Sequence, residues 1–338
     1  MIEPKICPMS ENKKRIAFVD AIKAFTIFCV VYWHISIYTG TTDSLLNRLY
    51  MPFFLTLFFF ISGYFSYNKS NITLKKCIQK IFKRCKSILI PSIIVCTMYA
   101  LYSNMTATQI LYSEMKGGYW FTFTIFQIYV FYNLIELFLK WKSIYKLTFY
   151  FLLIFVFSFI AAIGHNLMNS EIYQLFSIYQ AIKYIPFFYL GIICNMKQNL
   201  FFKLITNDYL LGVAIVMMGL LYLTNSRVSF GIQGYIGIFL TYGFFYKFNF
   251  FFEYSNIFIK LILKVGQNTL PIYFIHYFLL NGISVLSTPF QFILNNGGWI
   301  INGILTSIVA IVIIFTCIVL KKIISISPTL NLILLGHK

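Results

Sequence analysis

Long apolar stretches recur along the whole chain, and they constrain the fold more than any other feature of the sequence. Of the 338 residues, 59% are hydrophobic and only 11% are charged, against about 25% charged in a typical soluble domain. Backbone groups inside a bilayer must be hydrogen-bonded within the protein, and a helix of about 20 apolar residues achieves this. The sequence therefore predicts an all-α integral membrane protein with about ten transmembrane helices, at residues 17–38, 49–67, 88–103, 119–139, 147–163, 179–195, 209–224, 232–247, 266–286 and 299–320.

Basic residues are distributed unevenly between the segments that connect these stretches. With the N-terminus in the cytoplasm, 22 of the 27 lysines and arginines fall on the cytoplasmic side, seven of them in one long loop from Lys69 to Lys86. Only four fall outside, and Lys23 lies within the first stretch. Cytoplasmic loops carry an excess of Lys and Arg, so both termini are predicted to be cytoplasmic. The distribution explains the net charge of +18 and predicts a multi-pass protein of the cell membrane, the bacterial inner membrane, with the lipid bilayer and no nucleic acid as partner.

No linker and no internal repeat divides the chain, so one membrane domain is predicted at residues 15–325. A polar tail of residues 1–14 precedes it, and a short tail of residues 326–338 follows. The basic residues before the first apolar stretch resemble a signal peptide. That stretch is long and contains ionisable groups, so we interpret it as a retained first span. The seven cysteines show neither a disulfide framework nor metal-ligand spacing, and no metal site is predicted.

The first apolar stretch contains three strongly polar groups, Asp20, Lys23 and His34. At about 100° per residue, Lys23 and His34 differ by only about 20° around a helix, and Asp20 lies within about 40° of the same line. His34 lies about 16 Å further along the axis than Lys23, at 1.5 Å per residue. Ionisable groups are costly in hydrocarbon and normally face a protein interior or a wet cavity. The row is therefore a candidate functional site, in which a neutral imidazole is suited to act as a general base.

Two other interpretations of the row remain open. Asp20 and Lys23 can form a capping or snorkelling pair at the membrane boundary, with His34 as a hydrogen-bonded core residue. Membrane-embedded Asp, Lys and His are also what a proton-coupled transporter or flippase requires.

Six short motifs resemble, in order, those of the acyltransferase 3 family of multipass membrane acyltransferases. The segment RIAFVDAIKAFTIFCVVYWH (residues 15–34) resembles the family's basic residue–x10–His signature, in which an Asp precedes the basic residue by three positions; the family more often has Arg where Lys23 stands. The others, which extend the resemblance over about residues 14–320, are FFFISGYF (58–65), KRCKSILIP (83–91), GGYWFTF (117–123), IPFFYLGII (185–193) and GQNTLPIYFIH (266–276). The family often has a second arginine nearer Pro91, a region where this chain has Ser87.

The resemblance implies transfer of an acyl group, usually acetyl, from coenzyme A to a hydroxyl of a carbohydrate or lipid-linked glycan. Acetyl-CoA or another acyl-CoA is then a co-substrate, and no cofactor is bound permanently. By position in the motifs, His34 is the catalytic residue and Lys23 and Arg84 bind the acyl donor. The supporting residues are Asp20, Ser62, Trp120 and His276. The implied process is O-acetylation in polysaccharide biosynthesis, completed in the membrane domain or by a separate extracytoplasmic transferase.

Each of these positions also has a simpler interpretation. Ser62 with its following glycine permits close helix packing, and Arg84 in a basic loop attracts anionic lipid. Trp120 at the edge of its span suits an interfacial anchor, and His276 suits a hydrogen-bonded core group. A non-enzymatic scaffold for glycan assembly is the remaining alternative.

Overall fold

The computed structural model describes residues 16–42, 45–68, 72–139, 143–164, 171–223, 227–254 and 256–336; the predicted N-terminal tail lies outside them. Within these ranges the chain forms helices and no strand, as the all-α prediction requires. The α-helices are α1 (Ala17–Thr39), α2 (Leu45–Tyr50), α3 (Phe54–Tyr64), α4 (Leu74–Arg84), α5 (Ile90–Tyr102), α6 (Ala107–Leu111), α7 (Trp120–Phe138), α8 (Ser143–Ile163), α9 (Glu171–Leu175), α10 (Ile178–Met196), α11 (Gln198–Ile205), α12 (Asp208–Tyr222), α13 (Arg227–Lys247), α14 (Asn249–Glu253), α15 (Ile257–Gln267), α16 (Thr269–Leu280), α17 (Ser287–Ile324) and α18 (Pro328–Leu335).

Helix α1 lies at the centre of the molecule. It packs against α3, α13, α15, α16 and α17. In its most apolar window 72% of the residues are buried, compared with 11% in the corresponding window of α8. A helix that is apolar on all sides can be enclosed on all sides, and the enclosure gives the polar row of α1 protein neighbours in place of lipid.

Five helices of the described part of the chain are long and apolar enough to cross a membrane alone, namely Ala17–Thr39, Leu74–Tyr102, Trp120–Phe138, Ile144–Ile163 and Ile300–Ile324. Two bent pairs raise the number to seven if each pair is one span: Gln198–Ile205 with Asp208–Tyr222, and Thr269–Ile283 with Ser287–Ile293. The other predicted stretches contain α3, α10 and α13. The count of ten crossings stays a prediction.

The basic segment between the second and third stretches is helical from Leu74 onward, so the prediction of a long loop is wrong for this part; Lys69 lies outside the described residues. Helix α4 begins after Thr73, whose side chain accepts a hydrogen bond from the backbone N–H of Lys76. It continues through a π-helical turn, Cys85–Leu89, into α5. Lysine is a good helix former, and a capping threonine satisfies an orphan N–H. The residues of α4 are polar on average, so a hydropathy criterion does not include them in a membrane span.

Helices α3 and α10 cross at two glycines. A Cβ atom at Gly63 would overlap the carbonyl of Phe188, and one at Gly191 would overlap the carbonyl of Phe60. Small residues allow two backbones to approach closely. The crossing accounts for the glycine of the Ser62-Gly63 motif by packing and leaves the serine for another role.

A buried ion pair joins α7 to α8. Lys146 Nζ lies 3.0 Å from Glu136 Oε2, and the other carboxylate oxygen accepts a hydrogen bond from Tyr150. Because each charge is compensated, the pair can remain in the interior.

The predicted C-terminal tail contains α18, which packs against α5 and the π-helical turn. A Cβ atom at Gly336 would overlap the carbonyl of Ser87. The last described residues therefore support the segment that follows Arg84.

Candidate functional site

Asp20 and Lys23 form an ion pair near the start of α1, with 3.2 Å between Lys23 Nζ and Asp20 Oδ1. The second carboxylate oxygen, Oδ2, accepts a hydrogen bond from Gln267 Nε2 at 3.3 Å. Asp20 is only 6% exposed, and α15 approaches so closely that a Cβ atom at Gly266 would overlap the Asp20 carbonyl. Asp20 is thus fixed between two helices, where its carboxylate positions the Lys23 ammonium as well as neutralising it.

A cavity of about 240 Å³ brings together three predicted site residues, Lys23 of α1, Ser62 of α3 and Arg84 at the end of α4. Lys23 and Arg84 are the only charged groups among the described residues that line it, and its other polar side chains are Thr122, Tyr129, Thr269 and Tyr273. Two cations facing one space without a lining carboxylate favour an anionic ligand.

Arg84 reaches this cavity from the junction of α4 and the π-helical turn. Its guanidinium carbon lies 4.3 Å from the centroid of the Tyr129 ring, a cation–π contact that holds the planar group in place. A π-helical turn shifts the side chains on either side of it around the helix axis and often occurs at functional sites. The fork of an arginine suits the oxygens of a phosphate.

His34 lies further along α1, one turn beyond Val30, which still lines the cavity. Its Nε2 atom lies 2.8 Å from the phenolic oxygen of Tyr277 in α16. The His34 ring centroid lies 4.7 Å from that of Tyr277 and 5.3 Å from that of His276. The row predicted on α1 therefore runs from a cationic cavity to a pair of histidines with a phenol beside both.

His276 is fully buried, and its two ring nitrogens have different surroundings. Nδ1 lies 2.8 Å from the Tyr273 carbonyl oxygen and 3.1 Å from that of Ile272. Both neighbours are acceptors, so Nδ1 must carry the proton in the neutral ring. Nε2 has no hydrogen-bond partner in the described structure. His276 thus presents an unprotonated imidazole nitrogen within the protein, next to His34.

The glycine pair before α7 shapes the environment of Tyr277. Gly118 has φ of +101°, and a Cβ atom there would overlap the phenol of Tyr277. The Gly118 carbonyl also accepts a hydrogen bond from the Tyr273 hydroxyl at 2.7 Å. Glycine is required here because only glycine combines this backbone conformation with so close a contact.

Lys116 anchors the loop that carries these glycines. It is 3% exposed, and its ammonium donates to the carbonyl oxygens of Leu111, Ser113 and Gln174 at 2.7, 3.0 and 2.8 Å. Burial lowers the pKa of Lys116. The three carbonyls satisfy its three donors, and that of Gln174 ties the loop to α9.

Trp120 does not line the cavity that holds Lys23 and Arg84. It is 6% exposed and stacks on Tyr184 with 5.5 Å between ring centroids. Its position is a packed aromatic core, which differs from the interfacial position that its sequence context suggests.

The structure thus gathers the predicted residues into two adjacent groups. Lys23, Ser62 and Arg84 line the cavity with Asp20 behind them, and His34 and His276 lie beyond it. Sequence reasoning missed Tyr277, Gly118 and Gln267. All three lie within or directly beside the quoted motifs, so proximity to a motif was the signal available. Among the described residues no group of three His, Cys, Asp or Glu side chains is placed to hold a metal ion.

The fold and the site define a helical membrane protein with an anion-attracting cavity that leads to a histidine. The chain belongs to the acyltransferase 3 family, because the family model described as an acyltransferase domain matches residues 16–321. It is therefore a membrane acyltransferase. No curated protein and no solved structure matches the chain.

Proposed function

We propose that the protein is a membrane O-acetyltransferase, which transfers an acetyl group from acetyl-CoA to a hydroxyl of a cell-surface polysaccharide or lipid-linked glycan. The observation that carries the proposal is a cavity that both Lys23 and Arg84 line, and whose wall follows α1 to within one turn of His34. An anionic nucleotide and a distant reacting thioester require this combination of charge at one end and a base at the other.

The donor binds with its phosphates at the cationic end of the cavity. Arg84 offers a planar fork and Lys23 a point charge to phosphate oxygens. Ser62 lines the same wall, and its hydroxyl donates a hydrogen bond to the donor. The apolar remainder of the wall suits an extended pantetheine arm, and the distance from Lys23 to His34 along α1 is about 16 Å at 1.5 Å per residue.

His34 acts as the general base. The reaction uses the tautomer in which Nε2–H donates to the Tyr277 oxygen and Nδ1 is unprotonated. The acceptor hydroxyl gives its proton to Nδ1 as its oxygen attacks the thioester carbonyl. The new C–O ester bond forms, the C–S bond breaks, and coenzyme A leaves as a thiolate that takes the proton from the imidazolium. His276 is a positioning residue. Its proton is fixed on Nδ1, and its unprotonated Nε2 is available to accept a hydrogen bond during the proton transfer at His34.

The acceptor approaches from the His34 end of α1, opposite the cationic cavity. With the predicted topology this end faces outward, which suits a surface glycan. The acetyl ester is then completed within the membrane domain, or passed to a separate extracytoplasmic transferase.

The proposal is tested with protein purified into liposomes and supplied with radiolabelled acetyl-CoA. Envelope glycan from cells that lack the gene serves as acceptor, and base-labile label in that glycan is measured. His34→Ala is expected to lower kcat by about a hundredfold or more, because general-base catalysis contributes that much. Arg84→Ala is expected to raise the KM for acetyl-CoA by about tenfold or more, the value of a charge-assisted hydrogen bond.

Lys86→Ala is the matched control for the arginine, because Lys86 is exposed two residues away and does not line the cavity. The KM of this variant for acetyl-CoA is expected to stay unchanged. Undiminished acetyl transfer by His34→Ala would contradict the proposed base. Passage of unmodified glycan across the liposome membrane without acetyl-CoA would favour the transporter interpretation.

A further inference from the structure

A cluster of uncharged polar side chains lies one helical turn beyond the two residues of the proposed reaction centre. Tyr38 follows His34 by four residues on α1, and Asn281 follows Tyr277 by four at the end of α16. Side chains four apart share a face of a helix, about 6 Å apart along its axis. Tyr99 of α5 contacts both Tyr38 and Asn281, so α1, α5 and α16 meet at this point.

Three oxygen atoms of the cluster contact one another. The phenolic oxygens of Tyr38 and Tyr99 are 3.1 Å apart, and they lie 3.4 and 3.2 Å from Asn281 Oδ1. With the Asn281 amide nitrogen donating to Ser103 Oγ at 3.1 Å, the two phenols hold the only protons for these three contacts. At most two contacts can therefore be hydrogen bonds at once. All three distances exceed the usual 2.7–2.8 Å of an O–H···O bond.

The cluster is partly accessible and has an aromatic wall. Tyr38, Asn281 and Ser103 are partly exposed, and Tyr99 is buried beside them, whereas a polar group that only supports the core is normally enclosed and fully paired. The Tyr99 ring lies 5.7 Å from the Tyr277 ring and 5.5 Å from the Phe278 ring. Hydroxyl and amide groups beside aromatic rings are suited to a ligand that has both hydroxyl groups and C–H faces.

We propose that Tyr38, Tyr99 and Asn281 form the acceptor subsite and bind a second hydroxyl of a polyhydroxylated acceptor while another hydroxyl of the same molecule reacts at His34. A carbohydrate hydroxyl both donates and accepts, so it adds a third proton to those of the two phenols and can bond to any of the three oxygen atoms. A separation of one helical turn is comparable with the width of a sugar ring. The inference rests on the proposed acetyl transfer and adds the class of acceptor and the residues that select it.

The test uses Tyr38→Phe and Tyr99→Phe in the liposome assay, with envelope glycan from cells that lack the gene as the varied substrate. Each variant keeps its ring and loses only the hydroxyl. We expect each to raise the KM for the glycan by about tenfold, the equivalent of one hydrogen bond of about 1.4 kcal/mol. Binding of radiolabelled acetyl-CoA is expected to remain unchanged, which also shows that the variants fold.

Tyr102→Phe is the matched control, because Tyr102 lies on the same helix, is 54% exposed and has no hydrogen bond to the cluster in the described structure. Its KM for the glycan should equal that of the unaltered protein. An unchanged glycan KM in both test variants, or a fall in kcat alone, would overturn the acceptor subsite while leaving acetyl transfer intact. No label in the glycan with the unaltered protein would instead refute the proposed function and the subsite with it.

Discussion

The two histidines of the site are held in different ways, and the difference depends on single atoms. His276 is fixed by backbone carbonyls of its own helix, whereas His34 depends on one phenol from another helix, Tyr277. A side-chain contact between helices positions an imidazole only as well as both helices are positioned. Tyr277 is itself confined by Gly118, so the orientation of the proposed base depends on a glycine in a distant part of the sequence.

Replacing Tyr277 tests this dependence at a single hydroxyl. Tyr277→Phe keeps the ring contacts with both histidines but removes the oxygen 2.8 Å from His34 Nε2. We expect kcat for acetyl transfer to fall by about ten- to a hundredfold, since a hydrogen bond to a group that becomes charged contributes about 1.5–3 kcal/mol. The KM for acetyl-CoA should not change. The pH dependence of kcat is measured alongside, because loss of the phenol should also move its inflection.

Tyr145→Phe is the control for this variant, as Tyr145 is 61% exposed on α8, which is not among the helices packed against α1 that are named above. Equal kcat values for Tyr277→Phe and the unaltered protein would show that the phenol only packs against His34.

At the scale of the elements, close helix crossings decide which motif residues reach the site. Gly63 and Gly191 bring α3 and α10 together, and Gly266 brings α15 onto α1 at Asp20. The first crossing supports the helix that carries Ser62, and the second supports the carboxylate that positions Lys23. Dispersion between closely packed backbones and side chains, more than the hydrophobic effect, drives helix association in lipid. A single methyl group added at a crossing therefore has a large effect on the stability of the protein.

Two glycine-to-alanine substitutions separate this packing effect from helix propensity. Gly191→Ala places a Cβ atom onto the Phe60 carbonyl, whereas Gly219→Ala, within α12, meets nothing within 4 Å. Overpacking costs about 1–3 kcal/mol, so Gly191→Ala should lower the Tm in detergent. Alanine in an open helical position gains about 0.5–1 kcal/mol over glycine, so Gly219→Ala should keep or raise the Tm. A Tm for Gly191→Ala equal to that of Gly219→Ala would contradict the tight crossing.

At the scale of the whole molecule, the charge distribution and the site imply the same orientation of the protein in the membrane. The cavity with Lys23 and Arg84 lies at the end of α1 that the basic residues assign to the cytoplasm, where a nucleotide donor is available. The cluster at Tyr38 lies at the opposite end, which the predicted topology places outside, on the side of the proposed glycan acceptor. In the proposed function, one protein therefore connects a donor and an acceptor that lie on opposite sides of the membrane.

This orientation is tested by labelling single introduced cysteines with a membrane-impermeant maleimide. Arg48 and Lys197 are both exposed and are predicted to lie outside and inside, respectively. In intact cells Arg48→Cys should be labelled above the background of the unaltered protein, and Lys197→Cys should be labelled only after permeabilisation. The reverse pattern would invert the topology and would place the proposed donor cavity on the side without coenzyme A.

The sequence by itself determined the helical membrane class, the family and the row on α1. These features are local: apolar composition selects helices in a bilayer, and a period of 3.6 residues aligns Asp20, Lys23 and His34 whatever surrounds them. The family motifs also indicated most of the residues near the site. They could not say that Trp120 lies in a packed core, because its environment is set by α10.

Only the tertiary structure decided which of these residues face a common space. The cavity is built from α1, α3, the end of α4, α7 and α16, and no local pattern encodes how helices so distant in sequence cross. Tyr277, which contacts His34, is 243 residues away along the chain. Gln267, which contacts Asp20, is 247 residues away. Their contacts depend on helix crossings at glycines, where packing selects one arrangement from many that hydropathy allows.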